Sequence, residues 1–276
     1  MEKLKLRDII AEALEEDLGM GDLTSSFFAP DHISTGFFTA KADGVLAGLD
    51  IITETYRLLD ERIEVDLYQQ DGDRIEQGEE IAEAEGPTAP LLSGERVILN
   101  LLQHMSGIAT GTKRAVEALH SSHTRVCDTR KTLPGLRMLQ KYAVRCGGGY
   151  NHRYRLDDGV MLKDNHIKAA GGISRAVSQL RNELGLMVRI EVETETRDQV
   201  LESVESGADI IMFDNQAPPE VKQLVELVPD HIITEISGGI TIDTIGDYRD
   251  TGVDYISMGS LTHSVTALDI SFNLND

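Results

Sequence analysis

Apolar residues recur at helical spacing from the start of the chain. Leu6, Ile9, Ile10, Ala13 and Leu14 share one face of residues 4–17, and Gly19 and Gly21 end the pattern, so an amphipathic opening helix is predicted. Strand-like runs follow at 36–41, 45–49 and 63–69, with an apolar-striped helix over 51–59 between them. Turn signals at Asp71-Gly72 and at Gly78 read as a hairpin over 71–81. This first stretch is therefore α+β. Pro87 and Pro90 interrupt it, and a long helix is predicted from near Ser93 with Val97, Leu101 and Met105 facing inward.

Beyond about residue 120 the texture changes to β-branched runs alternating with helical patterns, which is how β-α units and a parallel sheet read. Runs at 187–192, 209–213, 231–236 and 254–258 start at nearly even intervals, each gap long enough for one helix. An α/β barrel, closed or nearly so, is the first expectation, and a doubly wound open sheet fits the same alternation. Either architecture puts its chemistry at the C-terminal ends of the strands.

Composition narrows the function classes. With 276 residues, 41% hydrophobic and 26% charged, the chain can bury a substantial core. A net charge of −21 argues against non-specific binding to nucleic acid or to an anionic membrane. The two cysteines, Cys127 and Cys146, form no Cys-x-x-Cys pair and read as small core residues of a reducing compartment. No apolar leader or membrane-length run is visible, so a cytoplasmic, unprocessed protein is expected.

The charge is unevenly placed. From Arg125 to Lys168 basic residues outnumber acidic ones ten to four, in a chain that is otherwise strongly anionic. Such an island focuses a small, multiply charged anion. Arg137, Lys141 and Arg145 recur at helical spacing and read as a solvated helix face, whereas Arg130, Lys131 and Lys163 stand at predicted strand ends and Arg153 in a glycine-rich loop. Glu193 and Asp214 follow neighbouring strands, so their carboxylates should converge near a ribose or a Mg²⁺-bound polyphosphate. Ser237-Gly238-Gly239, before a helix expected from about Thr241, offers either a phosphate cradle or an ordinary tight turn, and Gly259-Ser260 follows the next strand. His152, His166 and His263 lack zinc-ligand spacing, which leaves hydrogen bonding to phosphate or carboxylate as their expected task.

Longer motifs carry a resemblance. Residues 95–100 (ERVILN), 106–110 (SGIAT), 128–137 (DTRKTLPGLR), 141–149 (KYAVRCGGG), 151–153 (NHR) and 163–167 (KDNHI) closely resemble the quinolinate phosphoribosyltransferase family. The likeness continues through 237–240 (SGGI), 251–257 (TGVDYIS) and 261–264 (LTHS), so it spans nearly the whole chain. It implies a small N-terminal α/β sandwich domain, residues 1–108 joined by 266–276, and an open α/β barrel of about seven strands over 109–265, the type II phosphoribosyltransferase fold. The implied reaction joins quinolinate to 5-phosphoribosyl 1-pyrophosphate, giving nicotinate mononucleotide, pyrophosphate and CO₂ in NAD biosynthesis, with Mg²⁺ as cofactor.

The resemblance also implies roles for residues. Arg130 and Arg153, with Arg96 donated across a homo-oligomer interface, would bind the quinolinate carboxylates as bidentate forks, and His152 and Lys163 would complete that pocket. Lys131 would serve the pyrophosphate end. Glu193 and Asp214 would lie near the ribose hydroxyls and Mg²⁺, while Ser237, Gly238, Gly259 and His263 would form the 5′-phosphate site, and Thr129, Gly239, Met258 and Ser260 are further expected substrate-binding residues. Lys131, Lys163, Glu193 and Asp214 are the expected catalytic set. One departure is His104, where many relatives carry arginine. A molybdenum-associated paralogue, a barrel lyase with Lys163 as Schiff-base amine, and a non-enzymatic phosphometabolite-binding regulator are the competing readings.

Overall fold

The computed structural model describes residues 1–275. In chain order its elements are α1 (Lys3–Leu18), β1 (Ile33–Ala40), β2 (Gly44–Val45), α2 (Asp50–Leu59), β3 (Glu64–Leu67), β4 (Arg74–Ile75), β5 (Glu80–Pro87) and α3 (Thr88–Leu119). They continue as β6 (Arg125–Cys127), α4 (Arg137–Cys146), β7 (Val160–Leu162), α5 (Asp164–Ala170), α6 (Ile173–Glu183), β8 (Ile190–Thr194), α7 (Arg197–Glu205) and β9 (Ile210–Asp214). The last are α8 (Pro218–Val225), β10 (Ile233–Ser237), β11 (Tyr255–Ser257), α9 (Ser260–His263) and β12 (Ile270–Leu274). Among the described residues no helix is long and apolar enough to cross a membrane.

Two compact units result. The first gathers residues 1–113, 132–148 and 261 onward, and the second 114–131 and 149–260. The expected return segment 266–276 contains β12, and its final residue lies outside the described part.

In the first unit an antiparallel sheet runs β12-β1-β5-β3, with Phe38 opposite Phe272. Phe38, Tyr56, Ile81, Leu102 and Phe272 belong to its continuous apolar core. Three sequence expectations change here. The strand expected over 45–49 stops at Val45 because the Asp71 carboxylate accepts the N–H groups of Gly48 (2.8 Å) and Leu49 (3.0 Å). The same anchor brings β4 against β2, so 71–81 is not a self-paired hairpin. Helix α3 starts at Thr88 rather than near Ser93, since Pro90 falls in the first turn, where its missing N–H has no partner to lose.

A fourth expectation fails on α4, which buries Leu139, Gln140, Lys141, Ala143 and Val144. So broad a buried face leaves Lys141 fully covered rather than solvated. Arg137 is half-buried, its Nε donating to Thr132 Oγ1 at 2.9 Å, and Arg145 alone of the three is exposed. His104 meets Gln140 Nε2 through its own Nε2 at 2.8 Å, while Gln140 Oε1 accepts the Leu133 N–H. The ring therefore accepts and stays neutral, in keeping with the burial that lowers its pKa.

In the second unit six parallel strands are ordered β6-β11-β10-β9-β8-β7. From β7 to β11 spatial order follows chain order with no reversal, and β6, the first strand, lies beyond the last. A doubly wound sheet requires a reversal point; the cyclic order is that of a barrel. Tyr150 makes a parallel bridge to Cys127 on the free side of β6, and no ladder joins it to β7 among the described residues, so the barrel is open there. The strands are legible as apolar runs because their outward residues, such as Val192, Ile211, Phe213, Ile236 and Ile256, are buried.

Candidate active site

Alternation along the barrel strands decides which side chains face inward. Glu191 and Glu193 on β8, Met212 and Asp214 on β9, Glu235 and Ser237 on β10, and Ser257 on β11 share the inner phase, and all of them line barrel cavities. A barrel interior is ordinarily filled by branched apolar residues; here acids and hydroxyls share it with Ile210, Ile233 and Met212.

At the C-terminal ends of the strands this interior opens into a cavity of about 500 Å³. Thr129, Arg130, Lys131, His152, Arg153, Lys163, Glu193, Asp214, Ser237, Gly238 and Gly239 all line it. Met258 is buried, its N–H donating to the Cys127 carbonyl at 2.9 Å, and neither it nor Gly259 nor Ser260 is among the lining residues. Arg96 and His263 belong to the first unit. There Arg96 is exposed on α3, 3.8 Å from Glu95, and His263 Nδ1 lies 2.8 Å from Ser264 Oγ.

Local structure holds each group in place. Asp128, fully buried at the end of β6, accepts Asn151 Nδ2 at 2.6 Å and the His152 N–H at 3.0 Å, which ties the 151–153 loop to the barrel. Thr129 Oγ1 accepts the Lys131 N–H at 2.9 Å and turns the chain after Asp128. Lys163 is the extended N-cap of α5, its N–H donating to His166 Nδ1 at 3.1 Å, so His166 serves the helix start. Across the mouth, Lys163 Nζ donates to Glu193 Oε2 at 2.6 Å.

Asp214 and the glycine turn interlock. Asn215 sits at φ 53°, donates its N–H to the Ser237 carbonyl at 2.8 Å and its Nδ2 to Asp214 Oδ2 at 2.7 Å. Gly238 at φ 104° passes directly over the Asn215 side chain, and a Cβ there would overlap it. The helix expected from Thr241 is absent. Thr244 Oγ1 captures the Thr241 N–H at 3.0 Å, and only a single 3₁₀ turn forms, at Ile245–Tyr248. Any phosphate held at Ser237-Gly238-Gly239 is therefore met by the loop, without an α-helix dipole behind it.

Electrostatics divide the cavity. Arg130, Lys131, Arg153 and Lys163 supply positive charge, facing the carboxylates of Glu193 and Asp214. Arg153 donates through one Nη to the Gly159 carbonyl at 2.6 Å, while its buried Nε has no partner. Burial first, and the neighbouring Arg130 second, pull its guanidinium below the usual range, and Glu191 opposes them. Cys127 is buried, and burial pushes the Cys146 thiol up to about 11, which leaves Cys146 a poor nucleophile at neutral pH.

Beneath the cationic groups lie two acids that reading the strand ends did not single out. Glu191 and Glu235 are 3% and 4% exposed, and His152 Nε2 is 2.9 Å from Glu191 Oε2 and 3.6 Å from Glu235 Oε2. Burial, then the charge of Glu191, pushes the Glu235 carboxyl up to about 8, with His152 opposing. The available signal was an acid inside each of two apolar strands, at the phase of Glu193 and Ser237.

Residues 22–106 match the sequence profile of the quinolinate phosphoribosyl transferase N-terminal domain, and residues 108–273 that of its C-terminal domain. The chain is 51% identical over 274 residues to a probable nicotinate-nucleotide pyrophosphorylase [carboxylating] of Bacillus subtilis, covering 99% of this chain and 95% of that one. It is 40% identical over 290 residues to a mitochondrial quinolinate phosphoribosyltransferase [decarboxylating] of Nicotiana glauca, covering 98% and 82%. Among solved structures, NadC from Streptococcus pyogenes superposes with a TM-score of 0.96 at 40% identity, covering 100% and 99%. The nicotinate-nucleotide pyrophosphorylase from Francisella tularensis gives 0.95 at 35%, covering 100% and 98%.

Proposed function

The chain belongs to the quinolinate phosphoribosyltransferase family, and from that premise we propose how its barrel cavity carries the reaction. The enzyme transfers the phosphoribosyl group of 5-phosphoribosyl 1-pyrophosphate to quinolinate with loss of CO₂, forming nicotinate mononucleotide for NAD biosynthesis. One observation carries the assignment of roles: four cationic side chains, three acidic ones and a glycine turn converge on a single cavity at the strand ends.

Arg130 and Arg153 are the forks for the two pyridine carboxylates, with His152 and Lys163 beside them. Lys131 takes the pyrophosphate end, and Ser237, Gly238 and Gly239 take the 5′-phosphate. Glu193, held by Lys163 at 2.6 Å, is aimed at the ribose hydroxyls. Asp214 offers a hard oxygen donor of the kind Mg²⁺ accepts, alongside the oxygens of the pyrophosphate. Mg²⁺ bound there would neutralise charge on the departing pyrophosphate.

The pyridine nitrogen attacks ribose C1 as pyrophosphate leaves, so the protein supplies positioning and charge rather than a nucleophile. The positively charged ring nitrogen then stabilises the electron pair left on the adjacent carbon as the C–CO₂ bond breaks, and a proton from water takes the place of CO₂. A Schiff-base role for Lys163 is disfavoured by its 2.6 Å contact with Glu193, which engages the amine. The reading includes a cytoplasmic homo-oligomer in which Arg96 of one subunit completes the site of another.

Purified protein supplied with quinolinate, 5-phosphoribosyl 1-pyrophosphate and Mg²⁺ is expected to yield nicotinate mononucleotide and CO₂ in equal amounts, with no product from nicotinate. Absence of product from quinolinate would overturn the reading.

A further inference from the structure

Two carboxylate oxygens are among the buried polar atoms of the second unit that lack a partner. Glu191 Oε1 and Glu235 Oε1 are buried and have no hydrogen-bond partner, while the Oε2 atoms of both acids crowd His152 Nε2. Two ionised carboxylates left so would put uncompensated negative charge directly under the side chains that receive a dianionic ring. That arrangement opposes the function of the cavity above it.

We propose that Glu235 holds a proton beside Glu191 and is a positioning residue: while it is neutral, His152 stays hydrogen-bonded to Glu191 through Nε2 and no second negative charge lies under the quinolinate pocket. Glu191 accepts from His152 Nε2–H and fixes the orientation of the ring. The ring also lines the anion cavity, so what lies behind it sets the charge that a ligand meets in front. The inference rests on the proposed quinolinate site and deepens it.

The surroundings of Glu235 can be followed element by element. Glu191 faces it from β8, His152 from the loop after Tyr150, Asp128 from the end of β6 and the Ser257 hydroxyl from β11, with Arg153 close to Glu191. Two of these neighbours are acids, and the acid proton is favoured by burial as well. Exchange with solvent does not require the substrate cavity. A second cavity of about 350 Å³ is lined by residues at the N-terminal ends of strands, such as Ile210, Ile233 and Tyr255, and reaches Glu191, Glu235 and His152 from the opposite side.

His152, Glu191 and Glu235 could also ligate a metal, since their ligand atoms lie within 4.8 Å of one another. The 2.9 Å separation instead suits a direct hydrogen bond between His152 Nε2 and Glu191 Oε2, which needs no ion.

Two measurements on the full-length enzyme test this. Infrared difference spectra of the ligand-free protein, wild type minus Glu235→Gln, should show the C=O stretch of a protonated carboxyl at neutral pH that disappears as pH rises. This arm involves no substrate, so its failure is distinguishable from failure of the functional assignment. At saturating 5-phosphoribosyl 1-pyrophosphate, the quinolinate KM of wild type should rise about tenfold between pH 7 and pH 9 as a negative charge appears under the pocket. Glu235→Gln should lose that rise. Glu191→Gln, which removes the charge favouring the proton, should move it to lower pH and serves if Glu235→Gln does not fold. No titrating carboxyl band, an unchanged alkaline rise in Glu235→Gln, or stoichiometric metal released from purified wild type but not from Glu235→Gln would each overturn the proposal.

Discussion

Lys163 Nζ and Glu193 Oε2 stand 2.6 Å apart across the mouth of the barrel, one at the end of β7 and the other on β8. The lysine is 47% exposed and the glutamate 15%, so the pair contributes little to stability, and its value lies in where it holds two charges. If Lys163 attracts the ring carboxylates while Glu193 is turned to the ribose, losing the lysine removes a cation and releases Glu193. Lys163→Ala is expected to lower kcat/KM for quinolinate about a hundredfold with thermal stability unchanged. Steady-state kinetics beside a thermal melt check this; a loss below about threefold would remove Lys163 from the reaction.

Gly238 is constrained twice, by φ 104° and by the Asn215 side chain it passes. Gly238→Ala must move the backbone of the loop, shift Asn215 or both, at a cost of about 1–2 kcal/mol. Because Asn215 also positions Asp214, the damage should appear in the KM for 5-phosphoribosyl 1-pyrophosphate rather than in that for quinolinate. Equal rises in both constants would place the turn outside the phosphate site.

The rhythm of the second unit was legible because a parallel strand covered on both faces reads as an apolar run, and residues 210–213 and 233–236 do so. Closure was not, since nothing local tells the β6 run to pair with β11. For the same reason Glu193 and Asp214, at strand ends, were visible as candidates, whereas Glu191 and Glu235 become significant only when β8 and β10 turn one face toward a common interior. Lys141 was misread because spacing by four marks a helix face without saying whether that face is wet, and α4 buries it. The Thr241 helix failed on local chemistry: threonine side chains there satisfy the backbone without a helix.

Sharing of sites between subunits has a direct test. Arg96 is exposed on the first unit, where its guanidinium has only the neighbouring Glu95 at 3.8 Å as ion-pair partner among the described residues. If it completes another subunit's pocket, Arg96→Ala and Lys163→Ala are each inactive alone, but a mixed dimer contains one site with both wild-type groups. Subunit exchange between the variants should restore about a quarter to a half of the wild-type rate per site. Proven exchange without recovery would confine Arg96 to its own chain.

The raised pKa of Glu235 also makes a prediction for stability. In the unfolded chain its carboxyl loses its proton near the ordinary glutamate value of 4.5, and in the folded chain only at about 8. Between those values the folded state binds more protons than the unfolded one, so this residue's contribution is fully present below about 4.5 and is lost as pH rises through about 8. Glutamine, which cannot ionise, removes the difference. Glu235→Gln should therefore gain thermal stability relative to wild type as pH increases from 5 to 8, with the two melting curves closest at the acid end. Melting temperatures followed by circular dichroism across that range decide it: a constant offset between the two proteins at every pH would mean that Glu235 titrates alike in the folded and unfolded chains.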